Sequence, residues 1–202
     1  MRKLPVFILF LLGAVTVQAQ KTKSYTSGIK GGVNLANLKL SDQPDVSTDM
    51  RINFHAGVFY NVPITSNFSI QPELPFSGEG ASTESSTSKN EIVLNYVQIP
   101  VMFQLNTSSG FYAEVGPFLG IMAKGKETIT TSAAESKLDL KKQIKKTNVG
   151  AAGGIGYKMK RFGLYARYNL GLTDLAKEGA RPETKSSVIQ VGLSWSFSQG
   201  GQ

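Results

Sequence analysis

The sequence has no cysteine, and among its 202 residues it has one histidine and one tryptophan. Without cysteine the protein forms neither disulfide bonds nor thiolate metal sites, and it has no cysteine nucleophile. With a single histidine, His55, a zinc site built from imidazole ligands is not expected. The fold must therefore be stabilised by a packed core or by a closed hydrogen-bonded sheet.

Long apolar runs are also missing, except at the N-terminus, where LPVFILFLLGAVTV follows Arg2 and Lys3 and ends at Val17, two residues before Ala19. A basic segment, a short apolar segment and small residues at positions −3 and −1 are typical of a secretory signal peptide. We predict a signal peptide over residues 1–19 and one domain over residues 20–202; an uncleaved membrane anchor is the alternative. The mature chain would keep 20 basic and 14 acidic side chains, a formal charge of +6.

The rest of the chain lacks a convincing amphipathic helix and instead alternates apolar with small or polar residues. Alternation over about ten residues is typical of a β-strand with two different faces. In the fourth segment the alternation changes phase near Asn95, which predicts a β-bulge. The eight predicted strands cover residues 28–38, 52–62, 68–76, 92–105, 111–123, 148–158, 162–172 and 187–197.

The connections between these segments alternate strictly between long and short. Residues 39–51, 77–91, 124–147 and 173–186 form long polar breaks, whereas PITSN, NTSSG and KMKR are short. Outer-membrane barrels have an even number of strands, short periplasmic turns and longer outer loops. The pattern therefore predicts an all-β, eight-stranded, antiparallel, up-and-down transmembrane β-barrel with four longer outer loops, located in the outer membrane.

Aromatic residues collect at the end of the strands where the short turns lie. Outer-membrane barrels carry aromatic girdles at the membrane interface, whereas a general strand preference of aromatics would not gather them at one end. We therefore expect the apolar face to meet lipid, with these residues at the periplasmic rim: Tyr60, Phe68, Phe103, Phe111, Tyr157, Phe162, Trp195 and Phe197.

The opposite face is small or polar and should fill the interior, which in an eight-stranded barrel is just wide enough for side chains. Five ionisable residues on this face are the candidate site, a lumenal polar cluster: Lys30, His55, Glu73, Glu114 and Arg167. Enclosed charges are costly unless they are paired, so we expect Arg167 to bridge Glu73 and Glu114. Such a cluster would plug the lumen, and the many inward glycines would leave room for larger neighbours.

The outer loop over residues 124–146 is basic, with seven lysines against three acidic residues. Lysines near a membrane surface attract anionic head groups. Possible contacts with anionic lipid, such as lipopolysaccharide, are Lys141, Lys142, Lys145 and Lys146. The alternative is that this charged run is simply a solvated loop.

Several stretches, in order along the chain, resemble the PorT-like outer-membrane β-barrel family of small Gram-negative barrel proteins. The stretches are GIKGGVNLANL, SIQPELPFSGEGA, LNYVQIPVMFQL, FYAEVGPFLGIMAKGK, GAAGGIGYKM, YARYNLGLTDL and VIQVGLSWSF. The resemblance implies an eight-stranded barrel, and for one subgroup a role in assisting protein secretion. One departure is that SQGGQ follows Phe197, whereas many barrels end on the aromatic residue itself.

The function expected from these observations is that of a structural or interaction protein that acts through its outer loops. Partners would be outer-membrane lipid and, by family analogy, secretion-complex proteins. A lipid-modifying enzyme is disfavoured because no spacing unites His55 with Ser77 and Glu79, so no catalytic residue, cofactor or metal site is predicted. A soluble periplasmic barrel of the lipocalin type stays open as an alternative. Nucleic-acid binding is disfavoured because export removes the target and no basic aromatic module is present.

Overall fold

A computed structural model describes residues 25–40, 49–85, 88–131, 135–139, 144–176 and 184–197. The predicted signal peptide, residues 1–19, lies outside this range. In the described residues no helix is long and apolar enough to cross a bilayer. The strands are β1 (Thr26–Leu40), β2 (Asp49–Pro63), β3 (Phe68–Ser85), β4 (Ser88–Asn106), β5 (Phe111–Thr131), β6 (Glu135–Asp139), β7 (Thr147–Met159), β8 (Phe162–Gly171) and β9 (Thr184–Ser196).

Eight of these strands close into an antiparallel barrel, which confirms the predicted fold class. Consecutive barrel strands pair with each other, and β1 pairs with β9 from Gly28 opposite Ser196 to Leu40 opposite Thr184. The short strand β6 was not predicted. It pairs with the outer part of β5, from Lys126 to Thr130, and so extends the wall instead of joining the ring.

The barrel is inside-out, with apolar side chains on the wall and polar ones inside. Val33, Val58 and Leu164 expose 47%, 50% and 48% of their surface, whereas Glu73 and Arg167 expose 4% each. Because side chains alternate between the two faces of a strand, this choice of face extends along the membrane-embedded part of each strand. The predicted orientation of the apolar face is confirmed.

The predicted girdle surrounds the end of the barrel where the short turns lie. Seven of its eight rings pack in pairs, with ring centroids 4.3 to 6.4 Å apart, and Tyr25, which was not predicted, completes one of the pairs. The pairs are Tyr25 with Tyr60, Phe68 with Phe103, Phe111 with Tyr157, and Phe162 with Trp195. Paired aromatic rings contribute beyond their buried area, so they also reinforce the strand pairing.

Two of the predicted long loops are instead largely strand. β3 and β4 continue as a paired hairpin up to Ser85 opposite Ser88, and β5 continues to Thr131. The prediction of a loop over residues 77–91 was wrong because serine and threonine indicate only that a segment does not face lipid. Beyond the membrane a strand can be polar on its outer face.

The bulge is at the predicted level, but its extra residue lies on the neighbouring strand. Asn95 is opposite Lys124 and Tyr96 is opposite Met122, so Ala123 of β5 is the unpaired residue. β4 keeps one alternation throughout, with Leu94 and Tyr96 both buried inside the barrel. The change of phase in the β4 sequence therefore has a different cause, which is a change of barrel interior from polar to apolar.

Inward glycines leave room for aromatic rings on the next strand. Gly156 lies opposite Tyr112, and a Cβ at Gly156 would overlap the Tyr112 ring. Gly150 stands in the same relation to the ring of Phe118. The backbone of β7 therefore comes close to side chains of β5 that fill the lumen.

Replacing Gly156 with alanine is expected to lower the free energy of unfolding by about 1–3 kcal/mol, because the buried Tyr112 ring must shift. Urea unfolding in lipid vesicles measures this. The matched control is Gly153→Ala on the same strand, where the nearest atom to the new Cβ is 3.8 Å away. Equal loss of stability in both variants would contradict the packing explanation.

Candidate functional site

The five residues predicted for the lumenal cluster come from five different strands, and all of them are buried inside the barrel. They are Lys30 on β1, His55 on β2, Glu73 on β3, Glu114 on β5 and Arg167 on β8. Each occupies an inward position of its strand's alternation, which places its side chain in the lumen. None of them exposes more than 6% of its surface.

Arg167 lies at the centre of the cluster and contacts both glutamates. Its Nη1 and Nη2 donate to the two Glu73 carboxylate oxygens, each at 2.8 Å, and its Nε donates to Glu114 Oε1 at 2.7 Å. This fork-like arrangement suits the planar guanidinium, which can meet a carboxylate with two parallel hydrogen bonds. Arg167 therefore links β8 to β3 and β5 across the lumen.

Lys30 completes a quartet of charges. Its Nζ donates to both oxygens of Glu73, at 2.9 and 3.1 Å, and it lies 4.1 Å from the ring centroid of Tyr165. Two cations and two carboxylates make the quartet neutral, with Arg167 and Lys30 sharing Glu73. Breaking such a buried arrangement is costly because it leaves an uncompensated charge away from water.

Two glutamine side chains donate further hydrogen bonds to the carboxylates of the quartet. Gln71 Nε2 donates to Glu73 Oε1 at 2.8 Å, and Gln104 Nε2 donates to Glu114 Oε2 at 2.9 Å. Both belong to the polar face read from the sequence, but they were not included in the predicted cluster. The position of Gln71 in the sequence could have identified it, because it lies two residues before Glu73 and residues with this spacing share one face of a strand.

His55 does not join the charged quartet, although it was predicted with it. Its Nδ1 pairs with Asn34 Oδ1 at 2.6 Å, and its Nε2 pairs with the Tyr165 hydroxyl. Asn34 Nδ2 donates to the Gly78 carbonyl at 2.7 Å, which leaves Asn34 Oδ1 as the acceptor. The proton of a neutral His55 must therefore reside on Nδ1, and His55 serves as a hydrogen-bonding filler above the quartet.

A second carboxylate layer lies further toward the long loops, and the sequence prediction missed it. Glu79 exposes 1% of its surface and accepts a hydrogen bond from Gln98 Nε2 at 2.6 Å. Ser186 also hydrogen-bonds to Glu79 and accepts from Asn148 Nδ2 at 2.8 Å. Glu79 was assigned to a loop, but it shares the inward alternation of Glu73 and Ser77.

The outer end of the lumen is filled by apolar side chains, which we call the outer cap. Its buried members are Leu38, Ala81, Leu94, Tyr96, Met122, Ile144 and Leu175. Ile144 and Leu175 come from the two connections on either side of β7 and β8. They reach the cap because Ile144 bridges to Ala176 and the Lys145 N–H donates to the Leu175 carbonyl at 2.8 Å.

Asp174 fixes the backbone of the connection that brings Leu175 into the outer cap. One carboxylate oxygen accepts from the N–H groups of Thr184 and Ala176, at 2.8 and 3.0 Å. Partial desolvation raises the pKa of Asp174, but these hydrogen bonds and the Lys145 ammonium 4.0 Å away outweigh it and lower the pKa overall. The pair is partly exposed, so it positions the connection more than it stabilises it.

The predicted lipid-contact lysines are only partly described. Lys141 and Lys142 lie outside the described residues. Lys145 pairs with Asp174, and Lys146 is exposed. Two lysines that were not selected, Lys124 and Lys126, lie on the outer wall just beyond the bulge and are also exposed.

The polar side chains that the structure describes in the lumen form charge pairs and hydrogen bonds. Within the described part of the chain, no group of three or more histidine, aspartate or glutamate side chains could hold a metal ion. His55 is engaged with Asn34 and Tyr165, while Ser77 accepts from Asn34 at 3.0 Å. The polar groups of Asn34, His55, Ser77 and Tyr165 thus serve one another.

Comparison with known proteins identifies related barrels. The family model for the outer membrane protein beta-barrel domain matches residues 18–177. No curated protein matches the chain. Ail, the attachment invasion locus protein of Yersinia pestis, is 13% identical, with a TM-score of 0.51 over 86% of this chain and 99% of Ail. Neisserial surface protein A is 12% identical, with a TM-score of 0.53 over 85% of this chain and 97% of that protein. These similarities concern the fold.

Replacing Arg167 with methionine is expected to lower the free energy of unfolding by about 3–5 kcal/mol, because Glu114 then loses its contact with Arg167 and Glu73 keeps only Lys30. Urea unfolding in lipid vesicles is the measurement. Arg161→Met, the same substitution on an exposed turn residue, should change stability by less than about 0.5 kcal/mol. Adding Glu114→Gln to Arg167→Met should restore part of the loss; strict additivity of the two substitutions would argue against a coupled quartet.

Proposed function

Because the chain belongs to the outer membrane protein beta-barrel domain family, we propose that it is a structural and interaction protein of the outer membrane with a plugged lumen. The strands anchor the chain, and the outer ends of the hairpins and their connections meet the partners. The observation that carries this proposal is the contact of Arg167 with Glu73 and Glu114, which joins three strands across the lumen.

Three layers support a closed lumen. The neutral charge quartet occupies the middle, and the hydrogen-bonded layer of Glu79, Gln98 and Ser186 lies beyond it. The outer cap then covers the long-loop end with apolar side chains, of which Leu175 is completely buried. A continuous water path would have to separate ion pairs and apolar contacts, and both are costly to disrupt.

Outer-leaflet lipid is the partner that the charge distribution favours. On the wall of β5, exposed Leu119 and Ile121 precede the bulge, and exposed Lys124 and Lys126 follow it. Lys146 lies next to this part of β5, because its backbone carbonyl accepts a hydrogen bond from the Met122 N–H at 2.7 Å. Lys124, Lys126 and Lys146 form an outer basic patch directly above the apolar wall, at the level of anionic head groups.

The alternatives raised by the sequence are less well supported. A lipocalin-like carrier would place apolar residues inside, whereas the lumen here holds Lys30, Glu73 and Arg167. A role in secretion, and the PorT-like assignment itself, rest on the ordered sequence motifs alone. Co-purification with secretion-complex proteins would support that role, and its absence under native extraction would argue against it.

The plugged lumen predicts that the folded protein, reconstituted in planar bilayers, gives no stable, large conductance. The double variant Arg167→Ala/Glu73→Ala removes the central ion pair and should admit small, irregular currents. A heat-dependent shift in gel mobility confirms that each sample is a folded barrel. Steady, large currents from the unmodified protein would overturn the proposal.

The outer basic patch predicts salt-sensitive binding to lipopolysaccharide. The double variant Lys124→Gln/Lys146→Gln should weaken binding by on the order of tenfold or more, since each lysine contributes about 1 kcal/mol. Lys160→Gln/Arg161→Gln removes the same charge at the opposite end and should leave binding unchanged. Binding of lipopolysaccharide to immobilised protein, measured at low and high salt, tests this prediction. Equal losses of affinity in both variants would mean that the net charge of the protein, and not the outer basic patch, determines binding.

A further inference from the structure

A separate cavity of about 200 Å³ opens at the end of the barrel that carries the short turns. We call it the inner-mouth cavity. It lies below the charge quartet, and its wall comes from the ends of several strands. The lining residues are Thr26, Lys30, Phe59, Asn61, Gln71, Tyr112, Lys158, Lys160, Phe162, Tyr165, Ser194 and Ser196.

The lining of the inner-mouth cavity is cationic. Three lysines face it, and among the described residues that line it there is no carboxylate. Lys30 belongs to the neutral quartet, so its charge is already balanced by Glu73. Lys158 instead donates to two neutral amide oxygens, Gln104 Oε1 at 2.9 Å and Asn106 Oδ1 at 2.8 Å. The charge of Lys158 therefore lacks the carboxylate contact that Lys30 has.

Neighbouring groups fix the position of Lys158 and add hydrogen-bond donors. Its Nζ lies 4.8 Å from the ring centroid of Tyr112, and its hydrogen bonds to Gln104 and Asn106 hold it there. The hydroxyls of Tyr112, Ser194 and Ser196 belong to residues of the same lining. Phe59 adds an apolar wall. A cation at a fixed place among hydroxyl donors suits an oxyanion.

We propose that the inner-mouth cavity binds a small soluble anion that carries a carboxylate or a phosphate group. The volume is sufficient, because one water molecule takes up about 30 Å³ in the liquid and the cavity exceeds this several times. The short-turn end of an outer-membrane barrel faces the periplasm. The anion therefore arrives from the periplasmic solution and enters through the mouth of the lumen, where lipid head groups do not reach.

The test uses the full-length protein folded in zwitterionic micelles and titrated with inorganic phosphate, and in parallel with acetate, at constant ionic strength in chloride. Backbone amide signals in nuclear magnetic resonance spectra report the binding. Saturable shifts at residues of the cavity are expected for at least one of the two anions. Lys158→Met should weaken that binding at least tenfold.

Arg161→Met is the matched control, because Arg161 lies in the turn that follows the strand of Lys158 and carries the same charge but does not line the cavity. Its affinity for the anion should stay within twofold of the unmodified protein. Equal weakening in both variants, or shifts that never saturate, would overturn the site in favour of diffuse attraction to the basic turn. Adding phosphatidylglycerol to the micelles distinguishes the source: displacement of phosphate by the lipid would overturn a soluble ligand.

Discussion

The requirement that enclosed charges be paired governs how this barrel is put together. Arg167 can satisfy Glu73 and Glu114 together only when β3, β5 and β8 stand at matching heights around the lumen. A slip of one residue in any of these strands would turn its charge toward hydrocarbon and expose the remaining partners. The quartet contributes little net stability of its own, since desolvation offsets much of the attraction. Its main effect is to select one register.

Most of the membrane-embedded half can be predicted from the sequence because one local rule applies throughout it. Every second side chain meets lipid, so a period of two identifies the strands and distinguishes the two faces. The short turns and the aromatic residues then orient the barrel. Glu73, Glu114 and Arg167 could be brought together without coordinates because each lies on the polar face, and a lumen filled by side chains leaves few other partners.

The outer half cannot be predicted in the same way, because there the environment of the two faces is reversed. Leu94 and Tyr96 turn inward beyond the membrane, so an apolar residue no longer indicates the lipid side. Glu79 was assigned to a loop because the serine and threonine residues that follow it indicate only that the segment does not face lipid. The outer cap also depends on Ile144 and Leu175, two residues from different connections, and no local pattern indicates that they meet. Nor does a change of phase in β4 reveal that Ala123, on β5, is the inserted residue.

The bulge at Ala123 has a consequence for how the barrel would respond to a change of surroundings. Before the bulge, the exposed side chains of β5 are apolar, as at Leu119 and Ile121. Beyond it, Lys124 and Lys126 are exposed on the outside, and the outer cap fills the interior with apolar side chains. A thinner or thicker bilayer should therefore strain the lipid-facing part of the barrel and leave the part beyond the bulge intact. Ala123 marks the level at which the lipid-facing part of the barrel ends, and the part beyond it is built like a small water-soluble barrel.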